Sequence, residues 1–162
     1  MAGAYATFAA DGRRAPPHFV AKVRDEGGAV VWEHTDTASP AFGDDGTSRR
    51  ITQDVTATLR TSLPDGRPAA LRFGAAEHGN SPDNQDAWAV GYTPQLATAV
   101  WVGSDDDRLL KDATGAKLTG DVVPGDIWRA FMVAAHEGRP MRPLGGEERK
   151  VLAPPPEIRP RR

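Results

Sequence analysis

At 162 residues the chain is long enough for one domain with its own core and too short for two large ones. Its 39% hydrophobic and 26% charged residues are ordinary for a soluble globular protein, and a formal net charge of -2 supplies no overall attraction to nucleic acid or anionic lipid. There is no cysteine, so disulfides and thiolate metal sites are excluded. No apolar run approaches the ~20 residues that span a bilayer. MAGAYATFAADGRR has no basic segment ahead of an apolar one, so neither a membrane segment nor a signal peptide is expected.

The first predicted element is a short helix over residues 2–10, with Tyr5 and Phe8 three apart and Asp11-Gly12 as its stop. Two aromatics on so short a helix require something to pack against. Next, Phe19, Ala21 and Val23 alternate with Val20, Lys22 and Arg24. Asp25-Glu26-Gly27-Gly28 then turns the chain and Ala29 to Trp32 returns, which predicts a β-hairpin. After a polar loop over 35–47, Ser48 is the expected N-cap of a helix. Its apolar stripe is Ile51, Val55, Leu59 and Leu63, and Pro64-Asp65-Gly66 ends it.

Three strands follow, Ala69 to Ala75, Ala87 to Tyr92 and Leu96 to Val102. The polar stretch EHGNSPDNQD links the first two, and Thr93-Pro94-Gln95 turns tightly between the last two, so an antiparallel meander is expected. A loop from Asp105 to Val123, with a turn at Thr114-Gly115, leads to Pro124 at the start of a helix. That helix carries Ile127, Trp128, Phe131, Met132 and Ala135 on one face and ends at Gly138. The proline, arginine and glycine of residues 139–162 predict a disordered tail. The fold class is α+β over residues 1–138: a three-strand antiparallel meander plus a hairpin, packed with two to three helices.

Spacing excludes most kinds of chemical site. His18, His34, His78 and His136 show no HxxxH or HExxH pairing, so no metal is expected. Asp105-Asp106-Asp107 lacks the alternating ligands, central glycine and closing glutamate of a calcium loop. There is no P-loop, GxGxxG or GxSxG motif. Arg159, Arg161 and Arg162 on a loose end read as solubilising charges. Neither a cofactor nor a nucleic-acid partner is expected.

The informative segment is DAWAVGYTPQLATAVWVGSDD, residues 86–106, where bulky and small residues alternate and Gly91 and Gly103 permit close backbone approach. Together with MAGAYATFAADGRRAPPHFVAKV, DGRPAA and VPGDIWRAFM, it resembles the C-terminal half of the transpeptidase domain of class A (bifunctional) penicillin-binding proteins, in order from Met1 to about Met132. The composition suits an actinobacterial-type member. The resemblance implies a partial penicillin-binding transpeptidase (serine β-lactamase-like) fold. It also implies acyl transfer, in which the serine of an SxxK motif attacks a D-Ala-D-Ala stem peptide or a β-lactam. The lysine of that motif and an SxN serine move protons, and a KTG strand holds the substrate carboxylate.

This chain departs from that pattern. Ser39, Ser48, Ser62, Ser81 and Ser104 are its serines, and none has lysine three residues on or asparagine two residues on. No catalytic residue is therefore assigned, and the chain is expected to be a truncated, non-catalytic piece. The third motif is expected after GRPAA, with Arg72, Phe73, Gly74 and Ala75 as a degenerate substrate-binding strand; Glu77-His78-Gly79 is set aside because it inverts the charge. Arg72 keeps a cation that can grip a carboxylate, while Phe73 loses a hydroxyl. Stem peptide or β-lactam binding is expected only when the missing half of the domain is supplied. The alternatives are half of a split enzyme, or a non-enzymatic cell-wall binding module. The family is membrane-anchored with this domain on the outer side of the cytoplasmic membrane; this chain's own location stays unassigned.

Overall fold

The computed structural model of the chain describes residues 1–61, 74–106 and 108–145. Helix α1 (Ala2–Ala9) is alanine-rich and ends where Asp11 and Gly12 both take positive φ, 57° and 82°. Gly12 is required there for a second reason: a Cβ on it would meet the Ser48 carbonyl oxygen at 2.6 Å. Strand β1 (Arg13–Arg14) pairs antiparallel with β4 (Ser39–Pro40), and between them β2 (Lys22–Arg24) and β3 (Val30–Glu33) form the expected hairpin. Its turn is held by the Asp25 carboxylate, which accepts from the Ala29 amide at 2.9 Å. Every residue of β2 and β3 is exposed.

Helix α2 (Asp45–Thr61) starts earlier than its sequence suggests, and a different face turns inward. Asp44, not Ser48, caps it: the Asp44 carboxylate accepts from the Thr47 amide at 2.8 Å, and that bond holds its pKa below the usual value. Ser48 lies inside the first turn with its side chain buried, donating to the Gly12 carbonyl at 2.6 Å and accepting from the Ala41 and Phe42 amides. The buried stripe is Ser48, Thr52 and Thr56, whereas Ile51, Val55 and Leu59 are half-buried beside it. Small hydroxyl residues let the helix approach closely, and Thr56 finds a partner across the interface. Leu63 lies outside the described residues.

The main sheet is the antiparallel meander β5 (Ala75–Asn80), β6 (Asp86–Thr93) and β7 (Leu96–Gly103). The last two strands fall where expected. The first runs through what reads as a polar linker, pairing Ala75 with Tyr92 and continuing to Asn80 opposite Ala87; residues 69–73 lie outside the described residues. Alternation sorts the two faces. Ala75, Tyr92 and Ala97 meet Tyr5, Phe8 and Leu59 from α1 and α2, while Ala76, Ala89 and Val100 meet Trp128 and Met132 from α3 (Val123–Ala135). The result is a helix–sheet–helix sandwich of the α+β class.

Helix α3 begins at the expected proline and buries Trp128 and Met132, but Ile127 and Phe131 are 48% and 50% exposed at the edge of its apolar face. The expected tail begins too early. Leu144 is 3% exposed and packs in the cluster with Ala75 and Tyr92, so the chain returns to the body after α3 instead of leaving it at Arg139. Residues 146–162 lie outside the described residues.

Close packing of α3 on the sheet depends on Gly91, where a Cβ would strike the Trp128 ring and lie 2.6 Å from Ala76 Cβ. Gly91→Ala is expected to lower stability by about 1–3 kcal/mol, read as a shift in the chemical denaturation midpoint. Gly79→Ala on β5, where a Cβ meets nothing within 4 Å, leaves that midpoint unchanged or slightly raised.

Candidate functional site

In the order β5-β6-β7, β5 is an edge strand with no strand partner on its outer side among the described residues, and its His78 amide donates to the Glu77 carboxylate at 3.0 Å. Its two ends are held differently. At the start, Ala75 is fully buried beneath Tyr92 and Leu144. At the far end, Asn80 donates to the Leu118 carbonyl at 3.1 Å and to Asn84 Oδ1 at 2.9 Å, and its own Oδ1 accepts from the Gly120 amide at 3.0 Å. Asn84 in turn donates to the Leu110 carbonyl at 2.9 Å from a left-handed backbone, φ 53°. The two asparagines thus fasten the loop over residues 110–120 to the end of the strand.

Between these anchors, Glu77, Gly79, Trp88 and Val90 share one sheet face with Tyr5 and Met1 of the first helix and its cap. They line a depression of about 360 Å³ that continues to Ser81 and Asp86. Trp88 and Trp101 sit across the β6–β7 pair with ring centroids 6.3 Å apart, and Trp101 Nε1 donates to the Asp86 carboxylate at 2.6 Å. The described lining includes no lysine or arginine; its charges are Glu77 and Asp86. Burial raises the Tyr5 phenol pKa, and the neighbouring Glu77 charge raises it further. On the opposite face, Asp121 is held below the usual carboxylate value, first by the Thr119 hydroxyl and also by His78.

The degenerate strand expected at Arg72, Phe73, Gly74 and Ala75 is only half described. Arg72 and Phe73 lie outside the described residues; Gly74 and Ala75 are buried, Ala75 packing with Tyr92 and Leu144, and neither lines the depression. The depression opens beside Glu77 to Ser81 instead. Sequence pattern gave little sign of it, because AAEHGN has no apolar alternation to mark it as a strand.

The family model for the penicillin binding protein transpeptidase domain matches residues 1–123. The chain belongs to that family. It is 35% identical to penicillin-binding protein 1A of Mycolicibacterium smegmatis over 99% of its length, and 40% identical to penicillin-binding protein 1A of Mycobacterium tuberculosis over 85%. These are class A penicillin-binding proteins of actinobacterial type, as the resemblance implied. The chain spans about a fifth of those relatives, 22% and 18% of their lengths. Among solved structures, PonA1 of Mycobacterium tuberculosis in complex with penicillin V superimposes with a TM-score of 0.71 at 36% identity, covering 88% of this chain and 39% of that one. Penicillin-binding protein 1A of Haemophilus influenzae shares the fold, with a TM-score of 0.67 at 20% identity over 95% of this chain and 27% of that one. Among the described residues, no helix of this penicillin-binding transpeptidase domain is long and apolar enough to cross a membrane.

The chain has two tyrosines, so Tyr92→Phe isolates the titration of Tyr5. Followed by phenolate absorbance, Tyr5 is expected to titrate above its ordinary value of about 10, and Glu77→Gln should bring it part of the way back. Burial also raises Tyr92. Both folded pKa values lie above the unfolded value, so the stability they contribute is intact below pH ~10 and is lost as pH rises through them.

Proposed function

We propose that these residues form the strand-presenting side of a penicillin-binding transpeptidase that cross-links peptidoglycan, and that they carry out no acyl transfer by themselves. The observation that carries this reading is the edge strand β5, which has no strand partner on its outer side among the described residues and lies beside a depression whose charges are Glu77 and Asp86. An extended stem peptide can add to such an edge through backbone hydrogen bonds. The nucleophile cannot come from within this sequence, because no serine here has a lysine three residues on to activate it. Serine, lysine and the SxN serine would come from the remainder of a transpeptidase domain, on the same polypeptide or another.

We place the equivalent of the third motif at Glu77, His78 and Gly79 rather than at Arg72 to Ala75, since Ala75 packs with Tyr92 and Leu144 while Glu77 borders the depression. A glutamate there repels the carboxylate that the family's lysine attracts, so the strand keeps its backbone role and loses its grip on the acid terminus. Half of a split enzyme is the second reading. It is favoured by the exposed side chains of Val23, Val31, Trp32, Ile127 and Phe131, which a complementary part of the domain would cover.

The test is labelling with a fluorescent penicillin. The chain alone, shown to be folded by its circular dichroism and cooperative melting, is expected to give no fluorescent band after denaturing electrophoresis. A stable band on this chain alone would remove the non-catalytic reading. A band that appears on an added polypeptide carrying SxxK and SxN, and only when this chain is present, would favour the split enzyme.

A further inference from the structure

The hairpin β2–β3 brings together groups that neither the core nor the proposed reaction uses. His18 lies before β2 and His34 just after β3, so the two imidazoles meet at the open end of the hairpin. Their rings are stacked, with centroids 3.7 Å apart and planes 19° apart. Asp36 Oδ1 lies 3.6 Å from His34 Nε2, and one donor atom from each of the three residues lies within 4.8 Å of the others. His34 is half-buried and the other two are exposed.

Two imidazole nitrogens and one carboxylate oxygen form a ligand set suited to zinc and neighbouring first-row cations. A tetrahedral ion with nitrogens at about 2.1 Å holds two ligand atoms about 3.4 Å apart; the donor atoms already lie near that spacing, and the two stacked rings must turn about their side-chain bonds to aim both nitrogens at one centre. The backbone beneath is already fixed. The His34 amide donates to the Ala21 carbonyl at 2.9 Å, and Lys22 pairs with Glu33 at 2.8 Å in the adjacent register position. The hairpin also has a need for such a clip: it buries none of its strand residues, and an isolated two-stranded ribbon is marginal in water. Linking His18 to His34 closes its open end and restricts the unfolded ensemble. The other histidines are differently employed. His136 is buried, its ring nitrogens engaged by Thr93 and the Met132 carbonyl, and His78 lies on β5.

We propose that His18, His34 and Asp36 bind one divalent transition cation of the zinc class, with solvent completing its coordination, and that the ion clips the base of the hairpin. Trp32 reports on the site, since its ring centroid lies 6.2 Å from that of His34. In the untagged chain, one equivalent of Cu(II) is expected to quench part of the tryptophan emission, and Zn(II) to compete for the same site. Zn(II) should also slow hydrogen exchange at the hairpin amides. His18→Ala, His34→Ala and Asp36→Asn each weaken binding by about tenfold or more, while His78→Ala leaves it unchanged. These substitutions lie outside the core, so an unaltered circular dichroism spectrum shows that the fold survives. Three results would overturn the proposal: undiminished binding by the triple variant, loss of binding in His78→Ala alone, or no zinc-dependent protection of the wild-type hairpin.

Discussion

Tyr92 is the residue on which the layers of this domain are registered. It has no exposed surface, and a buried phenol needs a hydrogen-bond partner, which Thr56 of α2 supplies at 2.7 Å. Leaving either hydroxyl alone in that setting costs about 1–3 kcal/mol. That requirement accounts for the inward polar stripe of α2. Thr56 must face the sheet, and Thr52 and Ser48, one and two turns earlier, face inward with it. The Tyr92 ring also sets what surrounds it. Tyr5 meets it edge-on at 6.1 Å, Phe8 lies 6.3 Å away, and directly across the ladder stand the alanines Ala75 and Ala97. The short first helix, with so little length of its own, is held by these aromatic contacts.

The same packing determines where a ligand can be met. One end of β5 is held under Tyr92 and the other is fastened by Asn80 and Asn84 to the loop before α3. Between them, Glu77 to Gly79 are held in a strand with no strand partner on their outer side among the described residues. A strand anchored at both ends keeps its backbone groups at fixed spacing, which is what recognition of an extended peptide requires. The hairpin has the opposite character. Val23, Val31 and Trp32 are exposed, and the Lys22–Glu33 pair, the turn hydrogen bonds and the His18–His34 stack organise it locally. It is a ribbon shaped by its turn rather than by a core.

Residues with strong local signals were legible from sequence. Asp11-Gly12, Asp25 to Gly28 and Pro124 mark the boundaries they were expected to mark, and the 86–106 signature carried both the β6–β7 pair and the family. The failures share one cause: the deciding partner lies far along the chain. Ser48 reads as a cap because serine is a good one, yet its hydroxyl is committed to Gly12, 36 residues away. Ile51, Val55 and Leu59 read as the buried stripe because they are apolar, yet the Tyr92 hydroxyl turns the helix toward its threonines. Leu144 sits in a stretch of tail-like composition and is buried by a cluster built from β5 and β6. His18 and His34 escape any local spacing rule because only the hairpin register makes them neighbours. The depression beside Glu77 had no sequence signal of its own, since Ala75, Glu77 and Gly79 form no recognisable face until α1 lies against them.

If Glu77 stands where we propose the third motif, a charge calculation separates what this strand keeps from what it loses. Exchanging a cation for an anion about 4 Å from a substrate carboxylate changes the interaction by roughly 2 kcal/mol in a water-like medium, and by about 8 kcal/mol at an effective dielectric near 20. Even the lower figure is a factor of about thirty in affinity. Backbone hydrogen bonds along the edge are indifferent to that exchange, because they depend on the anchors at Ala75 and Asn80 rather than on the side chain between them. Shape and charge at this strand are therefore separable. Tyr92 and the two asparagines preserve the shape whatever stands at position 77, and nothing in that packing restores the sign of the charge.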